Sequence, residues 1–227
     1  MKNTEVLYEI FEQNQTKLYI SKEHRFGTDS VLLGEFAANT NLTGKIIVDL
    51  CSGCGIIPIL ISEVCQPKTI YAVEIQESAA NLIKLTVKEN NLEFMTVNQN
   101  DLRDIESLKI ERESVDLVTA NPPYFPMNSG FARNEESQKN ARHENTCKLD
   151  EVVCTSAYLL RFGGELKMCM TASRLAECIG IMQKYAIEPK QIVFIGKKRT
   201  ANSDNSARLF LISGKKGAKP GVNISWK

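Results

Sequence analysis

Residues 115–125 read VDLVTANPPYF, and the rest of the chain is read outward from them. Val115, Leu117 and Val118 suit a buried strand. That strand cannot run on through Asn121-Pro122-Pro123-Tyr124, because a proline has no backbone N–H and holds its own φ near about −65°. The stretch is therefore a strand that stops in a rigid, exposed corner. The corner offers an amide at Asn121, a carbonyl at Pro122 and an aromatic face at Tyr124. Together these can grip a planar group that bears an NH2.

On either side of this strand, apolar runs of strand length alternate with helical patterns. Strands are expected at residues 45–50 (KIIVDL), 69–75 (TIYAVEI), 94–98, 115–120, 165–170, 191–196 and 207–214. Helices are expected at 56–64, 78–90, 149–162 and 172–185, the third ended by Gly163-Gly164 as a left-handed C-cap. Strands alternating with helices define an α/β fold: a seven-stranded, mainly parallel, doubly wound sheet with helices on both faces and a C-terminal antiparallel hairpin. Upstream, residues 8–20 read as a small hairpin. A helix follows from Thr28, with Thr28 as its cap and Asp29 in its first turn. Residues 1–44 are thus an N-terminal extension packing on the core, and 45–227 a single globular unit.

Composition narrows the function classes. Apolar residues make up 43% and charged residues 24%, which excludes a disordered chain. No apolar run approaches a membrane span and the N-terminus has no signal-peptide core, so a cytoplasmic protein is expected. The seven cysteines are odd in number and scattered, as reduced thiols are. Cys51 and Cys54 have C-x-x-C spacing, but no second pair completes four zinc ligands and the pair belongs to a glycine turn, so no metal is expected. Charge is segregated: between Lys197 and Lys219 seven bases face one acid, a local +6 in a chain of net +1. Such a stretch is either a polyanion-binding face or a solvated surface hairpin.

In open α/β sheets ligands lie over the carboxyl ends of the strands. Here each of those ends carries polar residues beside glycine or proline. The first reads Asp49-Leu50-Cys51-Ser52-Gly53-Cys54-Gly55, a turn whose glycines admit a ligand close to the backbone at a helix N-terminus. A dinucleotide fingerprint would need a third glycine where Pro58 stands. Glu74 closes the second strand, where an acid can accept both hydroxyls of a ribose diol. Asp101 and Leu102 follow the third strand and can hold an adenine. These ends describe an adenosine pocket that demands no pyrophosphate, which suggests S-adenosylmethionine.

As a linked set, the D-x-x-x-G-x-G turn, the acid after the second strand and the N-P-P-Y corner resemble the class I, Rossmann-like methyltransferases that modify an amino nitrogen. An exocyclic or carboxamide NH2 is a poor nucleophile because its lone pair is delocalised. If the Asn121 side-chain oxygen and the Pro122 carbonyl accept its protons, that lone pair can turn toward a sulfonium methyl, with Tyr124 stacked on the ring. The corner alone does not separate adenine from glutamine. The segments RFGTDSVLLG, from Arg25, and ARHE, from Ala141, are similar to the valine-tRNA adenine-N6 methyltransferase family. That resemblance implies a tRNA substrate methylated beside the anticodon, with Arg25 and Thr28 at the cofactor's methionine end. It implies that Pro123, Phe125, Arg142 and His143 flank the target base. Lys197, Lys198 and Arg199 would then contact phosphate. Two alternatives stand beside it: a glutamine N5-methyltransferase acting on a release factor, and a non-catalytic RNA-binding protein with a vestigial pocket. Oligomeric state is left open, with a monomer favoured.

Overall fold

The computed structural model describes residues 6–11, 13–122, 147–196 and 207–227. Its centre is set by two strands buried on both faces, β3 (Ile46–Leu50) and β6 (Val115–Ala120). Residues of a strand alternate between faces, so Val48 and Leu50 enter one core and Ile47 the other. The eight-stranded sheet runs β10-β8-β9-β7-β6-β3-β4-β5, with β4 (Thr69–Val73), β5 (Met95–Asn98), β7 (Leu160–Thr171), β8 (Ile187–Gly196), β9 (Ala207–Lys216) and β10 (Asn223–Trp226). Strand β9 is antiparallel to both its neighbours, and the remaining pairings are parallel.

One face is covered by α4 (Leu149–Leu159) and α5 (Leu175–Lys184), which pack Val152, Val153, Cys178 and Met182 against Val118, Met168 and Phe210. The opposite face carries α1 (Thr28–Ala38), α2 (Ile56–Val64) and α3 (Glu77–Glu89), with Leu33, Phe36, Ile57, Ile61 and Ile83 in its core. Helices α1 and α2 approach closely because Gly34 has no side chain: a Cβ there would stand 2.5 Å from Leu60 Cδ1. A separate hairpin, β1 (Val6–Phe11) and β2 (Thr16–Ser21), lays Leu18 and Ile20 on this second core. The buried Glu63 carboxylate of α2 accepts the Thr16 hydroxyl at 2.6 Å and the Asn14 N–H at 3.0 Å, which ties the hairpin turn down.

The mainly parallel α/β sheet is the expected one, and three local readings change. Residues 223–226 add an eighth strand parallel to β8, with Trp226 opposite Phe194. Helix α4 ends at Leu159, not at the two glycines, and the chain passes straight into β7. Gly163, at φ 76°, sits in an irregularity where Val115 pairs with Leu160 and Leu117 with Glu165. Gly164 is needed there because a Cβ would stand 2.9 Å from the Val115 carbonyl oxygen. The left-handed glycine was read correctly as punctuation and assigned to the wrong element, since bulges and C-caps both call for φ above zero. Finally, Gly27 rather than Thr28 occupies the N-cap of α1, with no side-chain cap.

Candidate active site

The sheet register gathers the expected site. Leu50 pairs with Ala120 on one side and with Val73 on the other, and Val73 pairs with Asn98. The residues that follow, Cys51, Asn121, Glu74 and Gln99, therefore leave the sheet at one level. The turn from Cys51 to Gly55 needs unusual backbone, with φ of 57° at Cys51, 58° at Gly53 and 86° at Gly55. At Gly55 a Cβ would also stand 3.3 Å from Ile83, so helix α3 closes over the turn. The first N–H groups of α2 follow directly, an electropositive end suited to negative or lone-pair-rich groups.

Two buried carboxylates hold this turn. Asp49 is fully buried; Ser52 Oγ and Thr119 Oγ1 each donate to it at 2.6 Å. Thr119 is its partner in register on β6, so the acid clasps the two central strands. Burial pushes the Asp49 carboxyl up to about 7, against the pull of those two hydroxyls. Glu74 is 6% exposed and receives the Gly53 N–H at 2.8 Å on one oxygen and the Gln76 N–H at 2.9 Å on the other. Burial raises the Glu74 carboxyl above its ordinary range, and the two N–H groups and His24 oppose the rise. Each carboxylate oxygen can accept a further hydrogen bond, as a diol would require.

Asn121, half-buried at the end of β6, donates its amide nitrogen to Asp29 Oδ2 and to Ser30 Oγ, both at 2.9 Å. Asp29 and Ser30 belong to the first turn of α1, so the RFGTDS segment and Asn121, which opens N-P-P-Y, meet in space. A carboxylate only accepts hydrogen bonds, which makes the edge facing Asp29 the NH2 edge and turns the amide oxygen the other way. Gly27 leaves room for this arrangement, since a Cβ there would strike the Asp29 carboxylate. Pro122 is buried beside Asn121.

The other expected contacts surround this centre. Arg25, on the connection from β2, and Thr28, the first residue of α1, are exposed. The Asp101 carboxylate is gripped by the Arg103 guanidinium, whose Nε lies 2.9 Å from both oxygens, and this hydrogen bonding holds it below the usual carboxylate range. Leu102 is buried and its carbonyl accepts the Thr155 hydroxyl at 2.9 Å. Pro123, Tyr124, Phe125, Arg142, His143, Lys197, Lys198 and Arg199 lie outside the described residues. Sequence reasoning gave no role to Ser30, Thr119, Arg103 or Cys147. Lys167 carried a signal that went unused: a lysine inside the apolar strand GELKMCM. It is buried, caps the end of α1 through the Phe36 carbonyl at 3.2 Å and Thr40 Oγ1 at 2.6 Å, and so fixes the helix that holds Asn121.

The basic stretch is divided by the sheet. Gly196 and Ala207 flank its first part and stand at the end of the sheet where Thr171 of β7 pairs with Leu209, the end that carries Asn121. Lys215, opposite Glu165, and Lys216 stand at the other end. Lys216 is also engaged internally, donating to the Ala157 and Leu160 carbonyls at 2.8 Å. Among the described residues no group of His, Cys, Asp and Glu is placed to hold a metal ion, and no helix is long and apolar enough to cross a membrane.

A doubly wound sheet with a glycine turn, a buried acid and an amide corner at one level is the architecture of a Rossmann-like methyltransferase. The family model for the methyltransferase small domain matches residues 13–185, and the chain belongs to that family. Among its relatives is a protein of Porphyromonas gingivalis named tRNA1(Val) (adenine(37)-N6)-methyltransferase, 28% identical over 159 residues. That match covers 67% of this chain and 61% of the relative, so the chain spans about three fifths of the relative's length. A protein of Christiangramia forsetii with the same name is 26% identical over 181 residues, 79% of this chain and 73% of the relative. Solved structures share the fold: M. jannaschii TYW2 in complex with AdoMet has a TM-score of 0.63 at 12% identity, covering 95% of this chain and 88% of that one. Geranyl diphosphate C-methyltransferase from Streptomyces coelicolor A3(2) has a TM-score of 0.61 at 11% identity, with coverage of 82% and 80%.

Proposed function

We propose that the protein transfers a methyl group from S-adenosylmethionine to the exocyclic N6 amine of an adenine in tRNA, in the cytoplasm. The observation that carries this reading is Asn121, fixed by Asp29 and Ser30 at the level of the Cys51–Gly55 turn on the neighbouring strand. The names of the relatives direct it to tRNA.

The residues present fit the cofactor. Gly53 and Gly55 would admit its methionine end, Glu74 would accept the ribose diol, and Leu102 would pack at the adenine. Asp49 supports the turn from below, and Asp101 would accept the adenine amine while still holding Arg103. When bound, the cofactor supplies an electrophilic methyl on a sulfonium. The chain's own task is placement: the Asn121 oxygen and the Pro122 carbonyl accept the two amine protons and draw the lone pair out of conjugation. Tyr124 stacks on the base, worth about 1–3 kcal/mol in comparable contacts. A base in a loop is unpaired and so costs less to extrude than one in a duplex. No strong base is needed before transfer, because the amine becomes acidic only on gaining the methyl; catalysis is positioning and dipole stabilisation.

The test is mass spectrometry of nucleosides from unmodified tRNA incubated with the protein and labelled cofactor. N6-methyladenosine is expected, and the Asn121→Ala variant should give none while binding cofactor within a few-fold of wild type. Label on a release-factor glutamine and none on tRNA would replace this reading with the glutamine one.

A further inference from the structure

The Cys51 and Cys147 sulfurs lie 3.5 Å apart although the residues are far apart in the chain. Both thiols are half-buried and reduced in this structure. Cys51 sits in the glycine turn after β3. Cys147 precedes Lys148, the N-cap of α4, whose backbone N–H donates to Glu151 Oε2 at 2.7 Å and holds the helix end in place. We propose that this pair is an oxidation site: a hydroperoxide converts it to a Cys51–Cys147 disulfide that disables the turn for cofactor binding. The second half rests on the cofactor reading above; the first does not.

Their surroundings differ in the way the chemistry needs. The hydrogen bond with Cys51 holds the Cys147 thiol below its ordinary range, and Arg103 adds to the effect. A helix N-terminus beside it favours the same thiolate. In the first step the Cys147 sulfur attacks a peroxide oxygen: an S–O bond forms, the O–O bond breaks, and the alcohol or water leaves with a proton. In the second, the Cys51 thiol loses its proton and attacks the Cys147 sulfur: the S–S bond forms, the S–O bond breaks, and water leaves. Two thiols lose two electrons and the peroxide gains them.

Closing the sulfurs from 3.5 Å to about 2.05 Å turns both side chains and ties the glycine turn covalently to the start of α4. The α4 side is braced by the Lys148 N–H to Glu151 hydrogen bond. Cys51 already stands at φ 57° and leads into Ser52 and Gly53, whose N–H groups bond Val73 and Glu74. Cys51 thus loses the freedom of its side chain within the turn proposed as the cofactor's seat, and any pull from the crosslink falls on a residue already in the left-handed region.

The experiment treats the reduced full-length chain with stoichiometric hydrogen peroxide. It reads peptide linkage by non-reducing mass spectrometry and S-adenosylmethionine affinity by calorimetry. Expected are a linked Cys51–Cys147 peptide pair and an affinity loss of at least about tenfold, both reversed by dithiothreitol. Cys147→Ser should bind cofactor like reduced wild type and ignore peroxide. A Cys51–Cys54 link, over-oxidised Cys147 or no link overturns the site; a link with unchanged affinity overturns its consequence. If the reduced protein binds no cofactor, the functional reading and the consequence both fall, while the linkage result still decides the disulfide.

Discussion

The amide of Asn121 has two edges, and its use depends on which one faces the ligand. Asp29 and Ser30 settle this by taking the nitrogen edge, so their loss should be felt in turnover more than in binding. Asp29→Ala removes a hydrogen bond to a charged group, worth about 1.5–3 kcal/mol. The expected result is a fall in kcat of roughly 10- to 100-fold, with cofactor affinity within a few-fold of wild type by calorimetry. Asp49 makes a different claim, about pH. Its folded carboxyl titrates at about 7, whereas an unfolded Asp titrates near about 3.9. Between those values the folded chain binds the extra proton, so stability falls as pH rises through the window. Urea unfolding of wild type should lose about 2 kcal/mol relative to Asp49→Asn between about pH 5.5 and 8. A parallel pH dependence in the two proteins would remove Asp49 from that role.

Helix α1 is the element on which the site turns, because it spans a polar row buried in the sheet. Ser213, Lys167, Thr119 and Asp49 are successive partners in register across β9, β7, β6 and β3. Lys167 holds the C-terminal end of α1, and Asn121 meets its first turn. Lys167→Met keeps much of the stem's packing and removes the cap; a loss of about 1–3 kcal/mol in chemical denaturation is expected, with a fall in kcat because Asp29 shifts with the helix. Strand and helix existence was legible in the chain because period-2 and period-3.6 apolar patterns are local. The polar row was not, since it depends on register between strands that no local pattern specifies. The same limit hid the Asp29–Asn121 contact: the RFGTDS segment could be recognised as distinctive, but its partner lies across the fold. Cys147 went unnoticed for that reason too. By contrast the Cys51–Gly55 turn and Glu74 were legible, because φ above zero and a strand-closing acid leave marks in the sequence itself.

For the molecule as a whole, the sheet separates charge that the sequence presents as one block. Gly196 and Ala207 stand at the end bearing Asn121 and Lys215 at the opposite end, so the proposed phosphate contacts fall to Lys197, Lys198 and Arg199, which follow Gly196 in the chain, and not to Lys215 and Lys219. Charge reversal at the first three should raise the KM for tRNA and flatten its dependence on salt. The same change at Lys215 and Lys219 should leave both untouched, and equal effects of the two sets would refute the division. Strand β10 bears on how such binding can be watched. The chain has one tryptophan, and β10 sets it against Phe194 at 5.0 Å between ring centroids with the planes tilted by 33°, where a Cβ on Gly196 would stand 3.5 Å from its ring. It is 62% exposed. The last strand thus places the molecule's single indole chromophore against the residue at which the basic stretch begins, a built-in optical gauge of that edge that needs no label.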